Sequence, residues 1–167
     1  LPERMGSTVR TALVPEVDSS GAAFNLINAQ GNDRKTTGSY YTPTSLITLL
    51  LDSALEPVVE RALKETNAEA ALLSLRVIDP ACGSGHFLVA AAQRLARHLA
   101  RVRTGEPGPA PADLQHALRD VVRSCIYGVD VNPMSVELAK VSLWLEALEP
   151  GKPLSFLDHH LRVGNSL

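Results

Sequence analysis

"LRVIDPACGSGHFLVAAAQRLARHLA", residues 75–100, is the stretch that decides the fold. An apolar run stops at Asp79, the chain crosses Pro-Ala-Cys-Gly-Ser-Gly, and an alanine-rich helical pattern follows. Strand, tight turn and helix in that order are the first half of a parallel crossover unit. In a doubly wound sheet, ligands sit beyond the carboxyl ends of the strands, which is where this turn falls. Lacking a Cβ, Gly83 and Gly85 permit a sharp turn and a close approach to a ligand. The amides that open the next helix favour an anionic group, while Asp79 offers an acceptor to an ammonium or to hydroxyls. A lone Gly-x-Gly also fits a plain strand-to-helix turn. Two familiar ligands are excluded: a dinucleotide fingerprint needs a third glycine where Leu88 stands, and no Gly-Lys-Ser/Thr of a phosphate loop occurs.

Further along, "IYGVDV" (126–131) reads as a second strand ending at another acid, Asp130. A carboxylate at that place can accept hydrogen bonds from both hydroxyls of a ribose, although alone it reads equally as a capping or solvated Asp. An acid with Gly-x-Gly after one strand and an acid after the next describe a nucleoside ligand that carries an amino acid. S-adenosylmethionine fits that description.

The remaining elements follow by pattern. Thr42 reads as an N-cap with Pro43 at the first helical position, and Leu46, Leu49, Leu50 and Ala54 recur at helical spacing. Pro57 ends that helix and opens "PVVERALKET". "LSLRVID" (73–79) reads as a buried strand, and "TGEPGPAPA" (104–112) as a linker. Asp113 then caps "LQHALRDVVRSC". Asn132 and Pro133 start the helix "MSVELAKVSLWLEAL", "EPGKP" breaks it, and "HLRVGNSL" supplies a third strand. Residues 1–35 lack sustained periodicity and are expected to be irregular with a weak hairpin, leaving 36–167 as the folded domain. Alternating strands and helices imply a parallel sheet with helices on both faces.

Bulk composition narrows the class. The chain has 167 residues, 45% hydrophobic and 20% charged, enough for one domain with a core. A net charge of −2 argues against a basic nucleic-acid clamp. Cys82 and Cys125 are too few for a disulfide framework and lack metal-ligand spacing. No metal site is expected: His159 and His160 adjoin Asp158, but neighbouring histidines cannot readily face one ion. No apolar run approaches a membrane span, and a cytoplasmic location is the default. The chain opens on Leu1 and closes in the strand-like "LRVGNSL", so it reads as a segment of a longer protein.

Four ordered motifs, "GSYYTP", "VIDPACGSGHFL", "GVDVNPMSVELAKVSLWL" and "VGNSL", resemble the N-terminal half of adenine-N6 DNA methyltransferases, and more narrowly the large fused methylases of restriction-modification and phage-defence systems. The likeness covers roughly residues 35–167. It implies a Rossmann-like α/β methyltransferase sheet, truncated after about three strands, with S-adenosylmethionine as cofactor and DNA reached through regions outside these residues. It assigns the methionine end of the cofactor to the turn Asp79, Ala81, Cys82, Gly83 and Gly85, with the Cys82 side chain itself read as packing. It assigns the ribose to Asp130, the adenine ring to Val131, and closure over the cofactor to Tyr41 and Thr42. The third-strand motif of that family usually presents a carboxylate to the adenine amino group; Asn165 stands there instead, able to accept the bond without charge.

His86, Phe87 and Trp144 read as packing residues, and Tyr40 and Tyr41 read equally as packing aromatics. No catalytic residue is nominated, because the family's Asn/Asp-Pro-Pro-Tyr/Phe segment does not occur and the Asn-Pro at 132–133 starts a helix. The chain is therefore expected to bind cofactor at best and to methylate nothing alone. With the family's strand order of 3-2-1-4-5-7-6, the first strand is left at an edge and invites self-association. The competing readings are a methyltransferase acting on RNA or on protein glutamine, and a non-catalytic interaction module that keeps the fold.

Overall fold

The computed structural model describes residues 13–18, 21–26, 42–148 and 155–166. The chain forms two compact units, Leu1–Tyr40 and Tyr41–Leu167. In the first, β1 (Leu13–Asp18) and β2 (Gly21–Leu26) pair antiparallel from Leu13↔Leu26 to Asp18↔Gly21. The weak hairpin expected there is present.

The second unit opens with α1 (Thr44–Leu50), a π-helical turn (Leu51–Leu55) and α2 (Glu56–Ala62). Its buried stripe is Ile47, Leu51, Leu55 and Val59, in steps of four. An α-helix turns once in 3.6 residues, so such a stripe drifts by about 40° per step. The wider π turn takes up that drift and keeps the stripe on the core. The other apolar set behaves differently from expectation: Leu46, Leu49 and Leu50 are exposed. Pro57 opens α2 from its first turn, as expected, but a π turn and not a break joins α2 to α1. Pro43, not Thr42, is the N-cap of α1, and it makes no side-chain cap bond.

α3 (Ala68–Ser74), capped by Asn67 Oδ1 accepting from Ala70 N–H at 3.0 Å, occupies the start of the stretch read as a strand. β3 is only Val77–Asp79, and Ile78 is 63% exposed rather than buried. Alternation in "LLSLRVID" could not separate the end of a short amphipathic helix from a strand. α4 (His86–Thr104) follows, then α5 (Pro111–Cys125), whose N-cap is Ala110; Asp113 lies inside its first turn, where the helix dipole favours it. β4 (Ile126–Asp130) leads to α6 (Pro133–Glu146), with Asn132 as its cap and Pro133 first, as the sequence indicated. α7 (Leu157–His160) is a single turn before β5 (Leu161–Val163).

The three strands form one parallel sheet in the order β3-β4-β5, registered Val77↔Ile126, Asp79↔Gly128, Gly128↔Leu161 and Asp130↔Val163. Both crossovers advance in the same direction, so right-handed connections place α4 and α6 on one face. The core lies there, around Leu88, Leu95, Leu99, Ile126, Val136 and Leu143. Gly128 faces this layer: a Cβ on it would stand 2.9 Å from Leu88 Cδ1. Tyr127, the next residue back, therefore faces the opposite side, where His160 of α7 stacks on it with ring centroids 4.3 Å apart. Helices thus flank the sheet, α4 and α6 on one side and the short turn α7 on the other. Among the described residues none of the helices is long and apolar enough to cross a membrane.

Candidate cofactor site

The carboxyl ends of β3 and β4 lie side by side, and the chain uses backbone amides to join them. Asp79 closes β3, and its Oδ1 accepts the Ala81 N–H at 3.0 Å, which bends the chain into the turn. Cys82 N–H then donates to the Val129 carbonyl at 2.9 Å, pinning the turn to β4, and Gly85 N–H donates back to the Cys82 carbonyl at 2.8 Å. Gly83 (φ +52°) and Gly85 (φ +85°) both take the left-handed conformation that a side chain resists.

The two glycines have different tasks. A Cβ at Gly85 would lie 3.0 Å from Ala139 Cβ and 3.1 Å from its Cα, so this glycine lets α4 begin against α6. A Cβ at Gly83 would meet nothing within 4 Å. Of the two, Gly83 is the one whose Cβ direction opens onto free space.

Asp130 is the centre of the arrangement. Its Oδ2 accepts the Gly83 N–H at 2.9 Å, across 47 residues of sequence, and its Oδ1 accepts the Asn132 N–H at 2.8 Å. A carboxylate offers about four lone-pair positions, so one on each oxygen remains for further donors. Asp79 feels this neighbour. Burial pushes the Asp79 carboxyl above the usual carboxylate range, the Ala81 N–H pulls it back, and the Asp130 charge raises it again. The Cys82 thiol is pushed up to about 11 by burial and by the charges of Asp79 and Asp130. It is a buried, protonated packing residue, pressed against Gly128, whose missing Cβ would otherwise meet Cys82 Cβ at 3.0 Å.

Val131, which follows Asp130, is 62% exposed. Beyond β5, Gly164 N–H donates to the Asp130 carbonyl at 2.9 Å and Ser166 Oγ donates to the Pro80 carbonyl at 2.8 Å, so the segment with Asn165 between them is tied to this same rim. Thr42 lies exposed just ahead of Thr44, which lines a hollow of about 300 Å³ with Thr48, His86 and Arg97 between α1 and α4. Tyr41 and Tyr40 lie outside the described residues. His86 is exposed rather than packed, with Nδ1 2.9 Å from Ser84 Oγ, while Phe87 packs partly buried on the core. Trp144, expected in the core, is 41% exposed on α6.

Several contributors escaped the sequence reading. Gly128 left a trace, since glycine inside a strand marks close backbone approach. Gly164 and Ser166 left none, because their partners are set by folding across the sheet. Asn132 was legible as a cap, its Oδ1 accepting Met134 N–H at 3.0 Å, but not as the donor that holds Asp130. Among the described residues no cluster of three or more metal-ligating side chains occurs, and His160 points its Nδ1 to the Ile126 carbonyl at 3.0 Å.

A three-stranded parallel sheet flanked by helices, with a glycine turn and two acids at neighbouring strand ends, is a truncated Rossmann-like α/β fold. The sequence profile of the N-6 DNA methylase family matches residues 21–160, and the chain belongs to that family. It is 27% identical over 185 residues to a candidate type II restriction enzyme and methyltransferase of Methanocaldococcus jannaschii, covering 86% of this chain and 15% of that protein. It is 33% identical over 142 residues to the adenine-specific methyltransferase PglX of Streptomyces coelicolor, covering 80% of this chain and 10% of that one. The chain thus spans about a tenth to a seventh of the length of these relatives.

Proposed function

We propose that this chain holds S-adenosylmethionine for a methyltransferase that modifies the exocyclic amine of adenine in DNA. One observation carries the reading: Asp130 braces the Gly83 turn through one oxygen and the Asn132 amide through the other. The acid of one strand end thereby shapes the glycine cradle of the next. The cradle fits the group, because Gly83 faces open space and each Asp130 oxygen retains an acceptor position.

When bound, S-adenosylmethionine supplies an electrophilic methyl group on a sulfonium. The chain's own work is to hold and orient it. Asp79, ionised, accepts from the α-ammonium. The amides at the start of α4 face the carboxylate. Asp130 accepts from the ribose hydroxyls, Val131 lies against the adenine ring, and the Asn165 amide oxygen accepts from the adenine amino group. Thr42, just ahead of α1, closes over the cofactor, the role that the family resemblance also gives to Tyr41. Such positioning is the larger part of catalysis for an in-line methyl transfer.

None of these residues is offered as the group that activates the target base. The only Asn-Pro in the sequence, at 132–133, is consumed as the cap of α6. The target amine is engaged elsewhere in a polypeptide that carries this chain, and these residues alone transfer no methyl group.

Asp130→Asn tests the reading. The amide nitrogen that replaces one oxygen cannot accept an N–H, so either the Gly83 or the Asn132 donor is orphaned and the charge on the ribose site is lost. Calorimetric titration of the chain should show S-adenosylmethionine binding weakened about a hundredfold or more. Unaltered affinity would overturn the ribose assignment.

A further inference from the structure

We infer that Ser166 is a positioning residue that sets Asn165 against the cofactor's adenine; this rests on the reading of the rim as an S-adenosylmethionine site. β3 and β5 are not neighbours, since β4 lies between them. Adjacent strands are spaced by about 4.8 Å, so these two are about 10 Å apart. Yet Ser166 Oγ, three residues past the end of β5, donates to the carbonyl of Pro80, the first residue after β3, at 2.8 Å. The segment after β5 must therefore cross the carboxyl end of β4 and be tied down on its far side.

The near side is tied as well, by Gly164 N–H on the Asp130 carbonyl at 2.9 Å. Asn165 is the single residue between the two ties. Its backbone is confined directly over the strand end that carries Asp130 and Val131, where ribose and adenine are placed. Loss of the Ser166 hydroxyl frees one end of this strap and leaves the sheet, the glycine turn and Asp130 as they were. The effect should fall on the adenine contact and not on the cofactor as a whole.

Two ligands separate these outcomes: S-adenosylmethionine, and its counterpart with unsubstituted purine in place of adenine, which lacks the 6-amino group. By calorimetry the chain should bind the adenine form about fivefold more tightly, the worth of one hydrogen bond. Ser166→Ala should bring that ratio close to one while affinity for the purine form changes little, and Ser166→Thr, which keeps the hydroxyl, should restore it. Asn165→Ala should match Ser166→Ala, and the double variant should be no worse than either.

Equal loss of both ligands in Ser166→Ala would make Ser166 a general scaffold residue and overturn the inference. So would an unchanged ratio, or equal affinity of the unsubstituted chain for the two forms. Failure of the unsubstituted chain to bind either ligand would instead remove the cofactor reading itself, and this inference with it.

Discussion

α4 and α6 each follow a strand of the same sheet and pack on the same face, yet they obey different patterns. α4 buries Leu88, Ala91, Ala92, Leu95, Ala96, Leu99 and Ala100 and turns its arginines outward. Arg94 meets Asp52 at 2.8 Å and Glu56 at 2.6 Å, and Arg103 meets Glu69 and Asp120, each at 2.8 Å. It has one apolar face, and that face is covered. α6 buries Val136, Ala139 and Leu143, and on its outer side exposes Met134, Leu138, Val141, Leu145 and Trp144. Its charges are used up locally: Lys140 bridges Glu137 and Asp158, each at 2.8 Å, and Glu146 accepts from Gln93 at 2.8 Å. The lesson is that the turn joining β3 to β4 and the layer beneath α4 are tied and covered from within, whereas α6, α1 and the outer edge of β3 display more apolar surface than the described residues cover.

The largest effects should come from the complete region. Leu99 is fully buried, so Leu99→Ala should cost about 3–4 kcal/mol in chemical denaturation. Leu138, 49% exposed on α6, should change stability by less than about 0.5 kcal/mol when truncated. A large loss at Leu138 would mean that its face is covered in solution and would break the contrast.

The two glycines of the turn sharpen the same comparison at smaller scale. Gly85→Ala combines a left-handed φ with a Cβ 3.1 Å from the Ala139 backbone, and should destabilise by about 3 kcal/mol. Gly83→Ala meets only the conformational penalty, about 1 kcal/mol, but should weaken cofactor binding more than its stability loss suggests. Equal stability losses would show that the two positions are not distinguished as the geometry requires.

Much of this was legible in the sequence, and the boundary has a physical cause. The turn, both strand-terminal acids and the Asn132-Pro133 helix start depend on local backbone chemistry that neighbouring residues declare. What the sequence hid depends on choosing between faces. "SLITLLLDSAL" carries two apolar stripes, Leu46/Leu49/Leu50 and Ile47/Leu51/Leu55, and periodicity alone cannot say which one meets the core. Trp144 was misplaced for the same reason, since α6 is apolar on both sides. The ties from Gly164 and Ser166 cross the sheet and have no local signature at all.

A pH titration comes next in size. Asp79 titrates above the ordinary carboxylate range because it is buried and has Asp130 nearby, despite the bond from Ala81. It must be ionised to accept an ammonium, so cofactor affinity should be full near neutrality and fall as pH drops through this raised value, earlier than for a solvated carboxylate. Stability should run the other way. A carboxyl that binds its proton more readily in the folded state gains stability as pH falls through its folded pKa. Asp79→Asn should therefore bind weakly with a flat pH profile in this window, while being slightly more stable than the unsubstituted chain near neutrality. Parallel pH profiles for the two chains would remove Asp79 from the ammonium role.

The smallest effect on the monomer, and the most direct probe of the incomplete side, is Ile78→Lys. β3 has β4 on one side and no described strand on the other, and Ile78 projects from it 63% exposed. An unpaired apolar edge recruits other strands, and a lysine on such an edge is the usual protection. Stability per molecule should shift by less than about 0.5 kcal/mol, because little of the side chain is buried. Light scattering over a concentration series should nevertheless show association in the unsubstituted chain that the lysine suppresses. If the unsubstituted chain stays monomeric at high concentration, with the β3 amides protected from exchange, then the edge is already satisfied and the division of the molecule into a complete and an incomplete side does not hold at β3.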